Sequence, residues 1–171
     1  MMMENIILIG FMGAGKTTIG RLLAQKLNTQ QHDFDEILVR QIGMSIADYF
    51  DAYGSESFRK IETKVLQQSL QLTGIISTGG GIVLKKENRL YLQNRSNVVY
   101  LKADLDELVH RVVLDKRNVR PLATSKSPDE IREVYLPRLP LYEESAKFIV
   151  DTTKRLPEEI VLEILEKVEV I

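Results

Sequence analysis

Ile6-Ile-Leu-Ile-Gly10-Phe-Met-Gly13-Ala14-Gly15-Lys16-Thr17-Thr18 decides how the chain is read. Four apolar residues run straight into a segment that satisfies the phosphate-loop pattern G-x-x-x-x-G-K-[ST] in full. A triphosphate needs several donors converging on one point, and consecutive backbone N–H groups curled around an anion supply them. Glycines at 10, 13 and 15 let bare main chain approach the phosphates. Lys16 can reach the β- and γ-phosphate oxygens, and the Thr17 hydroxyl can ligate Mg²⁺. The segment KTTIGRLLAQKL comes next, with Ile19, Leu22, Leu23 and Leu27 on one helical face, and its N-terminal dipole adds to the same spot. A glycine-rich turn that happens to carry a lysine would need neither the apolar run before nor the amphipathic helix after.

Working outward, the rest of the chain bounds the function. Its 171 residues suit one domain with a real core. A net charge of −1 gives no global attraction to nucleic acid or to an acidic membrane surface, so partners of both kinds are expected to be absent. The chain holds no cysteine, which removes disulfides, thiolate catalysis and thiolate zinc sites and fits a cytoplasmic location. No apolar run approaches transmembrane length, and the start MMMENIILIGFMGAG lacks the basic region of a secretory signal.

The order is strand, loop, helix, several times over. A polar turn leads to His32-Asp33-Phe34-Asp35, followed by ILVRQI and MSIADYFDAY with helical spacing, then an amphipathic helix from Phe58 to Leu72 stopped near Gly74. Ile75 to Thr78 reads as a short buried strand running into Gly79-Gly80-Gly81, Asn88 to Gln93 as a helix, and Val98 to Leu101 as the next buried strand. A helix over Leu105–Leu114 precedes the basic stretch DKRNVRPLATSKSP, which reads as a mobile loop. Residues 129 to 144 read as a helix interrupted by Pro137 and Pro140, Phe148 to Val150 as the last strand, and Pro157 starts a closing helix. Helices alternating with continuously apolar strands predict an α/β fold, a parallel sheet covered on both faces. Ligands on such sheets bind beyond the carboxyl ends of the strands, where the phosphate loop, Asp33-x-Asp35 and the three glycines all fall.

Several constellations carry two readings. On an extended strand end Asp33 and Asp35 would point the same way, one toward Mg²⁺ and one toward a substrate hydroxyl; alternatively Asp35 caps a helix beginning at Glu36. The phosphate loop upstream favours the first. Gly79 to Gly81 suit either a plain strand-to-loop turn or, as three glycines after a buried strand more often do, a place where ligand meets bare backbone. Arg59 and Glu62 make either a surface i,i+3 pair or an aimed, carboxylate-binding arginine. Lys116, Arg117 and Arg120 crowd the basic loop and suit either a solvated face or a γ-phosphate contact. His32 and His110 have no metal-ligand partners at useful spacing. Asp51-Ala-Tyr-Gly54 matches the D-x-x-G of GTPase switches, but its context is helical and no N-K-x-D sequence occurs in the chain.

Taken together, GFMGAGKTT, DFD at 33–35, FRKIE at 58–62, STGGG at 77–81, RPL at 120–122 and PRLPLY at 137–142 resemble the shikimate kinase family, in the family's order, from about Ile6 to Pro157. The resemblance implies a single P-loop kinase domain over 1–171, with a substrate-binding helical region at about 33–62 and a lid at about 112–128. It implies a nucleoside-monophosphate-kinase-like sheet of five parallel strands ordered 2-3-1-4-5, and transfer of the γ-phosphoryl of ATP to the 3-hydroxyl of shikimate, in aromatic amino-acid biosynthesis. Carried over by position, Gly13, Ala14, Gly15, Lys16, Thr17 and Thr18 bind nucleotide, and Arg111 and Arg155 flank the adenine. Thr17 and Asp33 hold Mg²⁺. Asp35, Arg59, Gly80, Gly81 and Arg138 bind shikimate, with Asp35 the candidate base. Lys16 and Arg120 are the catalytic cations, Arg120 as the lid residue that meets the transferred phosphate. A monomer acting on shikimate and ATP is expected. The rivals are another small-molecule kinase, of the gluconate or nucleoside monophosphate type, and a noncatalytic nucleotide-binding module.

Overall fold

The computed structural model describes residues 4–114 and 127–168. Its sheet is built around β1 (Ile6–Ile9), whose four residues are all buried and show no in–out alternation, as a parallel strand covered on both faces requires. On one side β1 pairs with β3 (Ile75–Ser77), which pairs with β2 (Gln31–Asp33); on the other lie β4 (Val98–Lys102) and β5 (Phe148–Asp151). All the pairings are parallel and the order is β2-β3-β1-β4-β5, as the resemblance implied. The register sets Leu8 and Asp33 both opposite Ser77, so β1, β2 and β3 end side by side. The segments leaving these three strands therefore gather at one edge of the sheet.

Helices α1 (Lys16–Lys26), α2 (Phe34–Ile42), α3 (Ile46–Ser69), α4 (Lys86–Gln93), α5 (Leu105–Leu114), α6 (Pro128–Tyr135), α7 (Leu139–Ser145) and α8 (Pro157–Lys167) complete the described chain. No helix among the described residues is long and apolar enough to cross a membrane.

Two local features depart from the sequence expectations. β2 occupies the stretch where the sequence suggested a polar turn leading to Asp33-x-Asp35 at a strand end; its residues Gln-His-Asp are half-buried and polar, because an edge strand with one neighbour needs little apolar pattern. The two helices expected on either side of Gly54 run on as one element, α3, broken at Gly54 itself, whose φ of 80° and ψ of 170° belong to a region only glycine occupies readily. The helical stretch over 129–144 is interrupted at its prolines as expected, dividing into α6 and α7 around a 3₁₀ turn, Leu136–Arg138. Pro137 and Pro140 stand in the first turns of the two later segments, where a missing N–H costs nothing. That turn carries Arg138.

Candidate active site

The chain leaves β1 through Gly10 and enters α1 at Gly15, whose φ of 95° makes it a left-handed cap that a Cβ would strain. Lys16 is buried in this loop and its Nζ donates to the carbonyl oxygens of Gly10 (2.7 Å) and Phe11 (2.9 Å). The neighbouring strands fix the first turn of α1. Ser77 Oγ donates to Lys16 O at 2.9 Å, and Gln31 Nε2 donates to Thr17 O at 2.8 Å. The result is a helix N-terminus with its amides and its lysine presented to one space, which is the arrangement an anionic phosphate requires. That space is a cavity of about 640 Å³ lined by Gly13 through Thr18, Asp33, Asp35, Gly79 and Gly80, and further by Arg111, Thr152, Arg155 and Pro157. Its volume suits a nucleotide.

The two aspartates stand differently from the extended-strand expectation. Asp33 ends β2 and is the N-cap of α2, its Oδ1 accepting from the N–H groups of Asp35 (3.0 Å) and Glu36 (3.3 Å). The cap is thus Asp33 rather than Asp35, and Asp35 lies within the first helical turn, so the two carboxylates are not side by side on a strand. The reason is that α2 begins at Phe34: a strand running directly into a helix has its cap at the last residue that is still extended, here Asp33. The other oxygen of Asp33 serves the phosphate side, since Oδ2 accepts from Thr17 Oγ1 at 3.1 Å. Thr17 and Asp33 therefore present a hydroxyl and a carboxylate oxygen at one point beside the phosphate loop, a hard-donor pair that fits Mg²⁺ completed by phosphate oxygens and water. Among the described residues no group of three or more His, Cys, Asp or Glu gathers as an all-protein metal site.

Beyond Asp35 lies a second cluster. Arg59 Nη1 donates to Glu62 Oε1 at 2.8 Å, and its guanidinium lies over the Phe58 and Phe50 rings at 5.3 and 5.8 Å. The pair is therefore no exposed surface bridge; the Glu62 side chain is only 3% exposed. Burial raises the Glu62 pKa, while Arg59 and Arg138 pull it down and the charge of Asp35 pushes it further up. Those four groups thus share one electrostatic neighbourhood. Gly79 sits between them: a Cβ there would lie 3.1 Å from Asp35 Oδ1 and 3.9 Å from Glu62 Oε2. Gly81 abuts the Arg59 guanidinium so closely that a Cβ would fall 2.8 Å from Cζ. Arg138 is buried, with Cζ 5.8 Å above the Phe11 ring. Asp35 and Gly80 line the phosphate cavity, whereas Arg59, Gly81 and Arg138 stand in this adjoining cluster.

Arg111 and Arg155 both line the cavity. Arg111 is tied to Gly13 O (3.2 Å), to Thr152 O (3.2 Å) and to Glu107. Arg155 donates to Asp151 O at 2.7 Å and pairs with Glu163 at 2.5 Å. His32 meets Thr73 O at 2.9 Å, a structural contact. Asp51 and Gly54 of the D-x-x-G match lie within α3, with open space around Gly54. Lys116, Arg117 and Arg120, and most of the lid expected over 112–128, lie outside the described residues.

Sequence reasoning passed over Glu107 and Thr152, and gave Tyr142, the last residue of the PRLPLY landmark, no role of its own. Glu107 precedes Arg111 by one helical turn and also accepts from Lys154 N at 2.9 Å, so the i,i+4 spacing was a usable signal. Thr152 follows β5 directly and obeys the strand-end rule. Tyr142 comes one turn after Arg138 and donates to Gly80 O at 2.5 Å, a contact with no sequence signal beyond that spacing.

Comparison with known proteins places this geometry. The shikimate kinase family model matches residues 12–169. The chain is 49% identical over 167 residues to the shikimate kinase of Enterococcus faecalis, covering 98% of this chain and 99% of that one. It is 46% identical to the shikimate kinase of Streptococcus gordonii, covering 90% and 94%. A solved shikimate kinase from Acinetobacter baumannii, in complex with shikimate, superposes with a TM-score of 0.87 at 35% identity, covering 95% of this chain and 91% of that one. The phosphate loop, the aspartates at 33 and 35 and the arginine cluster are thus set in a chain that belongs to the shikimate kinase family.

Proposed function

We propose that the chain moves the γ-phosphoryl group of ATP onto the 3-hydroxyl of shikimate, with Gly13 to Thr18 as the donor cradle and Asp35, Arg59, Gly80, Gly81 and Arg138 as the acceptor site. The observation that carries this reading is the position of Asp35. It lines the cavity of the phosphate loop and is felt electrostatically by Glu62, alongside Arg59 and Arg138. A carboxylate at the junction of a phosphate cradle and an arginine cluster suits transfer from an anionic donor to an acidic, hydroxylated acceptor.

The acceptor oxygen attacks the γ-phosphorus, the bond to the β–γ bridging oxygen breaks, ADP leaves, and the hydroxyl proton passes to Asp35. Lys16 neutralises charge on the β- and γ-phosphates after exchanging its contacts to Gly10 and Phe11 for phosphate oxygens. Arg59 and Arg138 grip the carboxylate of shikimate, each through the planar fork of its guanidinium, and Glu62 fixes the angle of Arg59. Thr17 and Asp33 would hold Mg²⁺, which would supply further charge neutralisation on the phosphates. Arg111 and Arg155 border the nucleotide end of the cavity, and Arg120 is assigned to the transferred phosphate on the sequence resemblance alone. Alignment and charge neutralisation are most of what such a reaction asks of a protein.

A coupled ADP-release assay across shikimate, gluconate and nucleoside monophosphates tests the reading. Turnover with shikimate is expected; turnover with gluconate or a nucleoside monophosphate but not shikimate overturns it. If ATP and shikimate both bind and no phosphate moves, the chain is a binding module and the mechanism falls.

A further inference from the structure

Tyr142 is fully buried on α7, stacks on Tyr100 with ring centroids 5.1 Å apart, and turns its phenol to the carbonyl oxygen of Gly80 at 2.5 Å. Burial pushes its pKa up and the charge of Arg138 pulls against that, so the phenol stays a neutral O–H donor at any working pH. The Gly80–Gly81 peptide is trans, so its C=O and N–H point in opposite directions. Holding the carbonyl therefore aims the Gly81 N–H away from the tyrosine pair, on the loop whose Cα at Gly81 abuts Arg59. Gly80 has little freedom on its own side, because a Cβ there would already lie 3.3 Å from Met12 N in the phosphate loop.

We infer that Tyr142 is a positioning residue of the acceptor site: its hydroxyl fixes the Gly80–Gly81 peptide plane, presents the Gly81 N–H to the acceptor beside Arg59, and ties that glycine to the turn that carries Arg138. The inference rests on the reading of the Arg59–Arg138 cluster as the acceptor pocket. One turn of chain separates Arg138 from Tyr142, so a single rigid segment sets both the arginine and, through the hydrogen bond, the facing backbone.

Tyr142→Phe keeps the ring and its stacking and removes the hydroxyl, which is both the donor to Gly80 O and the group that the Arg138 side chain meets. Steady-state kinetics and calorimetry without nucleotide should show KM and Kd for shikimate rising roughly three- to tenfold, the scale of one lost hydrogen bond, with kcat and the KM for ATP changing by less than about twofold. An unchanged shikimate Kd, or an equal rise in the KM for ATP, overturns the inference. Wild-type protein gives an independent test that no folding defect can obscure: the Gly81 amide resonance should shift on addition of shikimate, and a resonance that shikimate leaves in place overturns it. Arg59→Ala serves as the control for the underlying reading. If it raises the shikimate KM while Tyr142→Phe is silent, only the role of Tyr142 fails; if both are silent, the acceptor pocket itself is misassigned.

Discussion

The proposed donor and acceptor halves of the site are built in opposite ways. The donor half is nearly continuous in sequence: Gly10 to Thr18 carries the cradle, its cation and the helix end, braced from outside by Ser77 and Gln31. The acceptor half is assembled from four distant segments, bringing Asp35 from α2, Arg59 and Glu62 from α3, Gly79 to Gly81 from the end of β3 and Arg138 from the 3₁₀ turn before α7. The first kind of site is specified by local backbone geometry and so depends on few residues. The second depends on packing across the molecule, so its specificity can be damaged from several directions without touching the phosphate loop.

Breaking the donor half should produce the largest effect. Lys16→Met removes the buried ammonium while keeping most of its volume, and kcat should fall on the order of a hundred- to a thousandfold, the scale of losing one preorganised charge-stabilising group. Shikimate affinity measured without nucleotide should be unchanged. A shikimate Kd that weakens in step with kcat would show that the halves are not separable. Damage to the acceptor half should be milder and of the other kind. In Gly81→Ala the new methyl would sit 2.7 Å from Arg59 Nη2, so the guanidinium must leave its place. Losing a charge-assisted contact of about 1.5–3 kcal/mol corresponds to roughly ten- to a hundredfold in kcat/KM for shikimate, expressed in KM. The KM for ATP should hold within about twofold, and a variant failing chiefly in ATP binding would move Gly81 to the donor side.

The same division explains what could be read from the chain. β1, β3 and β4 are continuous apolar runs, and the phosphate loop is a contiguous pattern, so both were legible. β2 was not, because three half-buried polar residues on a sheet edge carry no period. The DFD stretch named the right residues with the wrong geometry: a carboxylate two residues before another is compatible with a strand end or a helix cap, and only the turn into α2 decides between them. Gly79 to Gly81 signalled bare backbone, but the reason each lacks a side chain differs: Asp35 and Glu62 for the first, Met12 for the second, Arg59 for the third. Those partners come from elsewhere in the fold. The contact of Tyr142, which the sequence offered only as the end of PRLPLY, was invisible for the same reason, since its acceptor is a carbonyl 62 residues earlier in the chain.

The smallest effect sharpens the comparison most, because it reads the electrostatics of the acceptor cluster without catalysis. Burial raises the Glu62 pKa above its ordinary 4.5, against the pull of the Arg59 guanidinium. A carboxyl raised in the fold binds more protons folded than unfolded between those two values, so its contribution to stability is full below 4.5 and is lost as pH rises through the folded value. Glu62→Gln cannot titrate. The stability of the native chain minus that of the variant, followed by thermal melts from about pH 4 to pH 7, should therefore decline as pH rises. A difference that grows over the same range would mean that the 2.8 Å pair with Arg59 outweighs the cost of burial. Glu62 would then stabilise the empty cluster, and the acceptor half would be as preorganised before substrate arrives as the phosphate loop is.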